Sequence, residues 1–246
     1  AWTIPDAIGT NRRVQVSDAS DATVNDVSNA NFTLMGGFTL TAPNGGEVWT
    51  VASAQTITWT TAGTVANVKL EYSTDGGTTY PNVITASVSN TGSYSWTVAD
   101  AISTTARVKV SDAADADAFD TSDANFKIRG AVVLTAPNGA EAWPINSSQN
   151  VTWTRTGTVV NVKLEYSTNG FSDELQTTVI VASTPADPAP ADNNGTYAWA
   201  IPDAPGTANK VRVSDASDAT VNDLSNANFK IQGVLTLTAP NGGEVW

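Results

Sequence analysis

The stretch Val68-Lys69-Leu70-Glu71-Tyr72 alternates apolar and charged residues, and the same alternation returns at Val162-Lys163-Leu164-Glu165-Tyr166. A period of two is typical of a β-strand that turns one face to a core and the other to water. The residues around Trp96 alternate in the same way, and the sequence shows no convincing helical period. The sequence therefore predicts an all-β protein.

The chain is a tandem repeat. The pentapeptide Thr-Ala-Pro-Asn-Gly stands at 41–45 and recurs at 135–139 and 238–242. The register of these copies predicts four segments. They are the C-terminal half of a repeat at 1–37, a complete repeat at 38–130, a second complete repeat at 131–233 with a loop expansion near 185–192, and the first strand of a further repeat at 234–246. We therefore expect the chain to come from a longer array.

Turn residues divide the first complete repeat into short strands. They are predicted near 38–42, 47–51, 55–61, 66–73, 81–87, 92–98 and 105–111, with a closing strand near 124–129. About seven strands in a repeat of about 100 residues indicate an immunoglobulin-like or fibronectin-III-like β-sandwich. Because the chain has no Cys, packing must hold the core, with Trp59 and Trp96 at its centre. Trp49, Trp143 and Trp246 are predicted to lie under the first strand or at a junction.

Composition excludes several classes of function. The chain has 246 residues and a formal net charge of -12, so it should repel nucleic acid and anionic membranes. It has 0 His and 0 Cys, which excludes His-dependent triads, His/Cys zinc sites and thiol nucleophiles. Its apolar runs fall short of the ~20 residues that cross a bilayer.

These repeats resemble a known group of domains. The segments 43–47, 57–59, 68–73, 92–96 and 108–126 are similar to Ig-like repeats of bacterial and archaeal surface proteins. They are also similar to the Ig-like N-terminal domain of the fungal Ser/Thr-rich cell-wall synthesis family. The resemblance implies a β-sandwich in a secreted or cell-surface protein. It implies no chemistry, because many proteins reuse this fold.

The candidate site is an acidic segment that precedes the last strand of each repeat. Closely spaced carboxylates are the hard oxygen ligands that suit Ca²⁺. The alternative is that Asp and Asn side chains cap turns. The predicted metal ligands are Asp18, Asp21, Asp26, Asp112, Asp115, Asp117, Asp120, Asp123, Asp215, Asp218 and Asp223. Catalytic residues are not predicted, and Ca²⁺ is the one candidate cofactor.

The sequence favours a structural repeat segment of an extracellular fibre, stalk or giant cell-surface protein, stiffened by short junctions and by Ca²⁺. Neighbouring copies of the chain or adjacent repeats are the expected partners. The first alternative is an adhesin or carbohydrate-binding array that binds surface glycans through exposed aromatic side chains. The second is a passive spacer of a larger surface enzyme. We do not expect this chain to be an enzyme.

Overall fold

The computed structural model describes residues 2–188 and 192–243, and within them the protein is all-β apart from one short 3₁₀ helix at Glu174–Gln176. The chain divides into two compact units, Ala1–Ile128 and Arg129–Trp246. Unit 1 holds the half-repeat, residues 2–36, and the first sandwich, which begins at Gly37. Unit 2 holds the second sandwich. The predicted fold class, tandem β-sandwich repeats, is confirmed.

The half-repeat consists of two short antiparallel strand pairs. The first pairs β1 with β4, and the second pairs β2 with β3. The strands are β1 (Gly9–Arg12), β2 (Gln15–Ser17), β3 (Asn25–Val27) and β4 (Phe32–Leu34).

Two sheets form the first sandwich. A three-stranded sheet has the order β10-β7-β5, and the larger sheet has the order β6-β13-β11-β8-β9, with β12 paired to β11. The strands are β5 (Gly37–Ala42), β6 (Val48–Thr50), β7 (Ala54–Ala62), β8 (Asn67–Ser73), β9 (Asn82–Ser89), β10 (Ser93–Thr97), β11 (Ser103–Asp112), β12 (Phe119–Thr121) and β13 (Phe126–Arg129).

The second sandwich repeats this arrangement. Its sheets have the orders β14-β16-β19 and β15-β22-β20-β17-β18, with β21 paired to β20. Strand β15 runs parallel to β22, and the other pairs are antiparallel. The strands are β14 (Ala131–Ala136), β15 (Ala142–Pro144), β16 (Ser148–Thr156), β17 (Asn161–Ser167), β18 (Thr177–Pro185), β19 (Asn194–Ala200), β20 (Gly206–Asp215), β21 (Asn222–Leu224) and β22 (Phe229–Gln232).

The core of each sandwich is built from the apolar sides of alternating strands. In the first sandwich Trp49 meets Trp96 edge-on at 5.9 Å between ring centroids and Phe126 at 5.0 Å. Trp143 makes the equivalent contacts with Trp199 and Phe229 in the second sandwich. Trp49 and Trp143 are buried, as predicted, whereas Trp246 lies outside the described residues.

The central Trp of each sandwich is held by a different acceptor. The Trp59 Nε1–H donates to Asn90 Oδ1 at 2.7 Å, and Asn90 belongs to the short connection between β9 and β10. The Trp153 Nε1–H donates instead to the main-chain carbonyl of Ala186 at 2.9 Å, at the start of the expanded loop. Part of that loop, residues 189–191, lies outside the described residues. A backbone acceptor thus replaces a side chain where the loop is longer.

Candidate functional site

Turns capped by carboxylates form the first half of each acidic segment. The three segments are residues 18–29, 112–123 and 215–226. Asp18 Oδ1 accepts from the N–H of Ser20 at 2.8 Å and from its hydroxyl at 2.7 Å. Asp215 makes the same two bonds with Ser217. Asp112 accepts from the N–H of Ala114 at 2.8 Å. A carboxylate bonded to the backbone two residues further on is an Asx-turn.

A second set of Asx-turns follows three residues later in each segment. Asp21 accepts from the N–H and hydroxyl of Thr23, and Asp218 accepts from those of Thr220. Asp115 accepts from the N–H of Asp117, whose own side chain lies on the exposed surface of this turn.

The later carboxylates join the acidic segment to the first strand of the same sandwich and to the turn that follows it. Asp120 Oδ2 accepts from the backbone N–H of Leu40 at 2.7 Å, and Asp223 Oδ2 accepts from that of Leu134 at 2.8 Å. Asp123 Oδ2 accepts from Asn44 Nδ2 at 2.8 Å. The equivalent of Asp120 in the half-repeat is Asp26, which lies on β3 opposite Val16.

Buried serines complete this link. Ser122 Oγ donates to the carbonyl of Pro43 at 2.7 Å and accepts from the N–H of Val108 at 3.0 Å. Ser225 donates to the carbonyl of Pro137 at 2.6 Å and accepts from the N–H of Val211 at 3.0 Å. The acidic segments therefore connect strands of their own sandwich.

Calcium binding stays a prediction. Within residues 2–188 and 192–243, no three carboxylates are grouped so that they could hold a metal ion. Hydrogen bonds from Ser20 lower the pKa of Asp18, and hydrogen bonds from Thr23 lower the pKa of Asp21. Both carboxylates are therefore ionised at neutral pH.

Sequence reasoning missed a second carboxylate role at the Pro-Asn-Gly turns. Glu47 Oε1 accepts from the N–H of Asn44 at 2.7 Å, and its Oε2 accepts from the N–H of Gly45 at 2.8 Å. Glu141 binds the two equivalent N–H groups of the second sandwich. The recurring Glu, two residues after the first Gly, was a signal in the sequence.

Each sandwich also contains one buried glutamate that pairs with a lysine on its own strand and with a cation on the neighbouring strand. Glu71 lies 2.6 Å from Lys69 Nζ and 3.2 Å from Lys109 Nζ. Burial raises the pKa of Glu71, but the two lysines outweigh it and leave the pKa below its ordinary value. Glu165 pairs with Lys163 and with Arg212. These carboxylates are therefore occupied in ion pairs.

The hairpin that follows β8 is organised by one aspartate. Asp75 accepts from the N–H of Thr79 at 3.0 and 3.1 Å, from its hydroxyl at 2.6 Å, and from the hydroxyl of Ser73 at 2.5 Å. In the second sandwich Asn169 takes this position and binds the hydroxyl of Ser167. The stretch therefore forms a turn, as its Asp-Gly sequence indicates.

Comparisons with known proteins found similarity only among solved structures. No family model matches the chain, and no curated protein matches it. The fibronectin(III)-like modules of Clostridium thermocellum CbhA are 16% identical, with 79% of this chain and 92% of that chain covered, at a TM-score of 0.25. The titin domains Z1Z2, solved with telethonin, are 16% identical over 83% of this chain and 100% of theirs, at 0.24.

The N-terminal four Ig domains of Dscam1 isoform 6.44 are 9% identical over 87% of this chain and 52% of theirs, with a TM-score of 0.38. The assignment of tandem sandwiches rests on the strands and sheets of the chain itself.

Among the described residues, no helix has the length and apolar character needed to pass through a bilayer.

Proposed function

We propose that the chain is a structural repeat segment of an extracellular fibre, stalk or large cell-surface protein. The supporting observation is the junction inside unit 1, where only Met35 and Gly36 separate β4 of the half-repeat from β5 of the first sandwich. Two residues are too few to act as a flexible linker. Successive repeats joined in this way form a stiff structure whose length is set by the number of repeats.

Side-chain contacts reinforce the junction. Asp6 of the half-repeat accepts from the N–H of Thr64 at 3.0 Å and from its hydroxyl at 2.5 Å. Gly36 is buried against Val65, and a Cβ added at Gly36 would lie 2.4 Å from the Val65 Cγ2 atom. The half-repeat is thus fixed to the first sandwich by directional bonds and by close packing.

Two neighbouring glycines provide a matched test of this junction. Gly36→Ala should displace the half-repeat because the new methyl group collides with Val65, whereas Gly37→Ala meets its nearest atom at 3.7 Å and should be tolerated. We expect Gly36→Ala to speed amide hydrogen exchange throughout β1–β4 and to leave the second sandwich unchanged. Equal exchange in both variants would contradict a rigid junction.

At the scale of the native protein, the proposal is tested by electron microscopy of the native material. Regular fibres or straight stalks would support it. Dispersed, flexible molecules would favour the spacer alternative. The carbohydrate-binding alternative needs exposed aromatic side chains, and Trp49 and Trp143 are only 7% and 8% exposed. Binding to a panel of surface glycans would support that alternative nonetheless.

Calcium is the remaining part of the proposal. If the ion neutralises the acidic segments, millimolar Ca²⁺ should raise the melting temperature, and a chelator should reverse the rise. An unchanged melting temperature would leave the carboxylates with their turn-capping role alone.

A further inference from the structure

Charge is distributed unevenly over the first sandwich. The sequence has no Asp, Glu, Lys or Arg between Glu47 and Lys69 or between Asp75 and Asp100. The three strands of the smaller sheet, β5, β7 and β10, therefore carry no charged residue. Hydroxyl side chains cover the outer face of this sheet: Thr39, Thr41, Thr56, Thr58, Thr60, Ser93, Ser95 and Thr97.

Strand β10 leaves one edge of this sheet open. The Gly92 carbonyl accepts from the Trp59 N–H at 3.0 Å, and the Val98 N–H donates to the Ser53 carbonyl at 2.9 Å. Backbone groups of an antiparallel strand point alternately to either side, so those of Ser95 and Thr97 point away from β7. In the part of the chain that the structure describes, β10 pairs only with β7.

The pairing register of β10 is regular, whereas the pairing register of β9, an edge strand of the larger sheet, is interrupted. Strand β10 pairs with β7 over five successive residues with no shift. Strand β9, the edge of the larger sheet, pairs with β8 in a register that shifts twice. Its counterpart β18 also shifts twice against β17. Bulges of this kind twist an edge away from further pairing, so β10 is the edge better suited to accept a strand.

We propose that β10 is an interaction surface for a second copy of this chain. The two β10 strands pair antiparallel about a two-fold axis, with Ser95 of each copy opposite Thr97 of the other. Their outward N–H and carbonyl groups exchange hydrogen bonds. The two three-stranded sheets then become one continuous sheet across the pair.

Charge argues for a second copy as the occupant. With a net charge of -12, two copies repel each other over most of their surfaces. The uncharged sheet allows them to approach, and a two-fold arrangement satisfies both edges at once. Strand β19 of unit 2 is a less suitable edge because Asp192 lies two residues before it, whereas the connection that leads into β10 carries no charged residue. This inference deepens the proposed structural role by giving lateral contact between chains.

The test is sedimentation velocity of the full chain over a range of concentrations. The double variant Ser95→Lys, Thr97→Lys places like charges opposite one another and should weaken dimerisation by about tenfold or more. Thr56→Lys is the matched control because Thr56 lies beside Ser95 on the central strand, away from the edge. If the copies pair through β10, the Thr56→Lys control should still dimerise. If Thr56→Lys also abolishes dimerisation, the copies meet through the outer faces of their sheets and edge pairing is overturned.

Hydrogen exchange supplies a second readout that does not depend on the variants. The Ser95 and Thr97 amides should become protected as concentration rises, while exposed loop amides should not. Added salt should strengthen the dimer because it screens repulsion between acidic copies. A chain that stays monomeric at every concentration and salt level overturns this inference. The Gly36→Ala comparison would still stand, so the proposed function is tested separately.

Discussion

At the scale of single residues, Asp120 has the most informative contact in the acidic segment. Its carboxylate accepts from the N–H of Leu40, a residue only 1% exposed. Asp120→Ala would leave this donor without a partner, so we expect the free energy of unfolding of unit 1 to fall by about 1–3 kcal/mol.

Asp117→Ala is the matched control for that measurement, because Asp117 is exposed on the neighbouring turn. Its effect should stay within about 0.5 kcal/mol. Urea unfolding of the two variants checks the difference, and Asp223→Ala should reproduce the Asp120 result in unit 2. Equal losses for Asp117 and Asp120 would show that the bond to Leu40 contributes little.

Asn209 gives a second prediction at this scale. It is buried, and its Nδ2 donates to the Gly206 carbonyl at 2.8 Å, while its Oδ1 has no partner among the described residues. The first sandwich has Ala106 at the equivalent position, also fully buried. Asn209→Ala should therefore change stability by only about 1 kcal/mol.

Asn209→Asp should behave differently, because it would place a carboxylate against carbonyl oxygens in a buried site. We expect it to destabilise unit 2 by about 3 kcal/mol or more at neutral pH, with partial recovery in acid as the new side chain is protonated. Urea unfolding at pH 7 and pH 5 measures both effects. A loss independent of pH would mean that the site admits water.

The acidic segment shows what sequence patterns can and cannot establish at the residue scale. Clustering predicted Asp112, Asp115 and Asp120 as a set of oxygen ligands, which stays a prediction, and the Asx-turn alternative describes the hydrogen bonds of the first two. The partner of Asp120 lies on a strand 80 positions away in the chain. Local spacing contains no information about such a contact, because the sheet topology creates it.

At the scale of elements, the hairpin after β8 has a built-in pH dependence. Hydrogen bonds from Ser73 and Thr79 hold the pKa of Asp75 well below its ordinary value. The ionised form therefore stabilises the folded state above pH about 4, and this contribution is lost as acid lowers the pH through the folded-state pKa. Asp75→Asn should flatten the acid branch of the stability curve of unit 1.

Unit 2 is an internal control for that prediction because it has Asn169 in the equivalent hairpin. The turn at residues 167–171 has no ionisable side chain, so its amides should show no such acid dependence, whereas Glu174 further along the connection is a carboxylate whose pKa Arg212 lowers. Hydrogen exchange of the two hairpins between pH 2 and pH 5 makes the comparison in one molecule. Identical acid responses of the two hairpins would contradict the assigned role of Asp75.

The strands themselves were largely predictable. Alternation and turn residues located each predicted strand of the first repeat to within two residues of its observed ends. Strand β12 was missed because it has only three residues and lies inside the acidic segment, where composition indicates a loop. The regular register of β10 and the shifted register of β9 could not be predicted, because both depend on neighbouring strands.

At the scale of the whole molecule, net charge should govern association between copies. The sequence pI is about 4.2, so lowering the pH towards that value removes the repulsion between chains. We expect light scattering at a fixed concentration to rise near the pI and to fall again at lower pH. If pairing through β10 contributes to this association, the double lysine variant should scatter less light than the parent chain. The two proteins are compared at the same number of pH units from their respective pI values.

The two sandwiches hold their central tryptophans through different acceptors, and this difference determines how much sequence change each connection tolerates. Asn90 anchors Trp59 with a side chain, so that connection depends on one residue type. Ala186 anchors Trp153 with its carbonyl, which every amino acid possesses. Beyond Asp187, whose carboxylate pairs with Arg155, the anchor of Trp153 therefore sets no requirement on the sequence or length of the loop. The loop is therefore the better site for an inserted epitope or a grafted domain, whereas changes in the connection at Asn90 must keep this side chain against Trp59 or lose about 1–3 kcal/mol of stability.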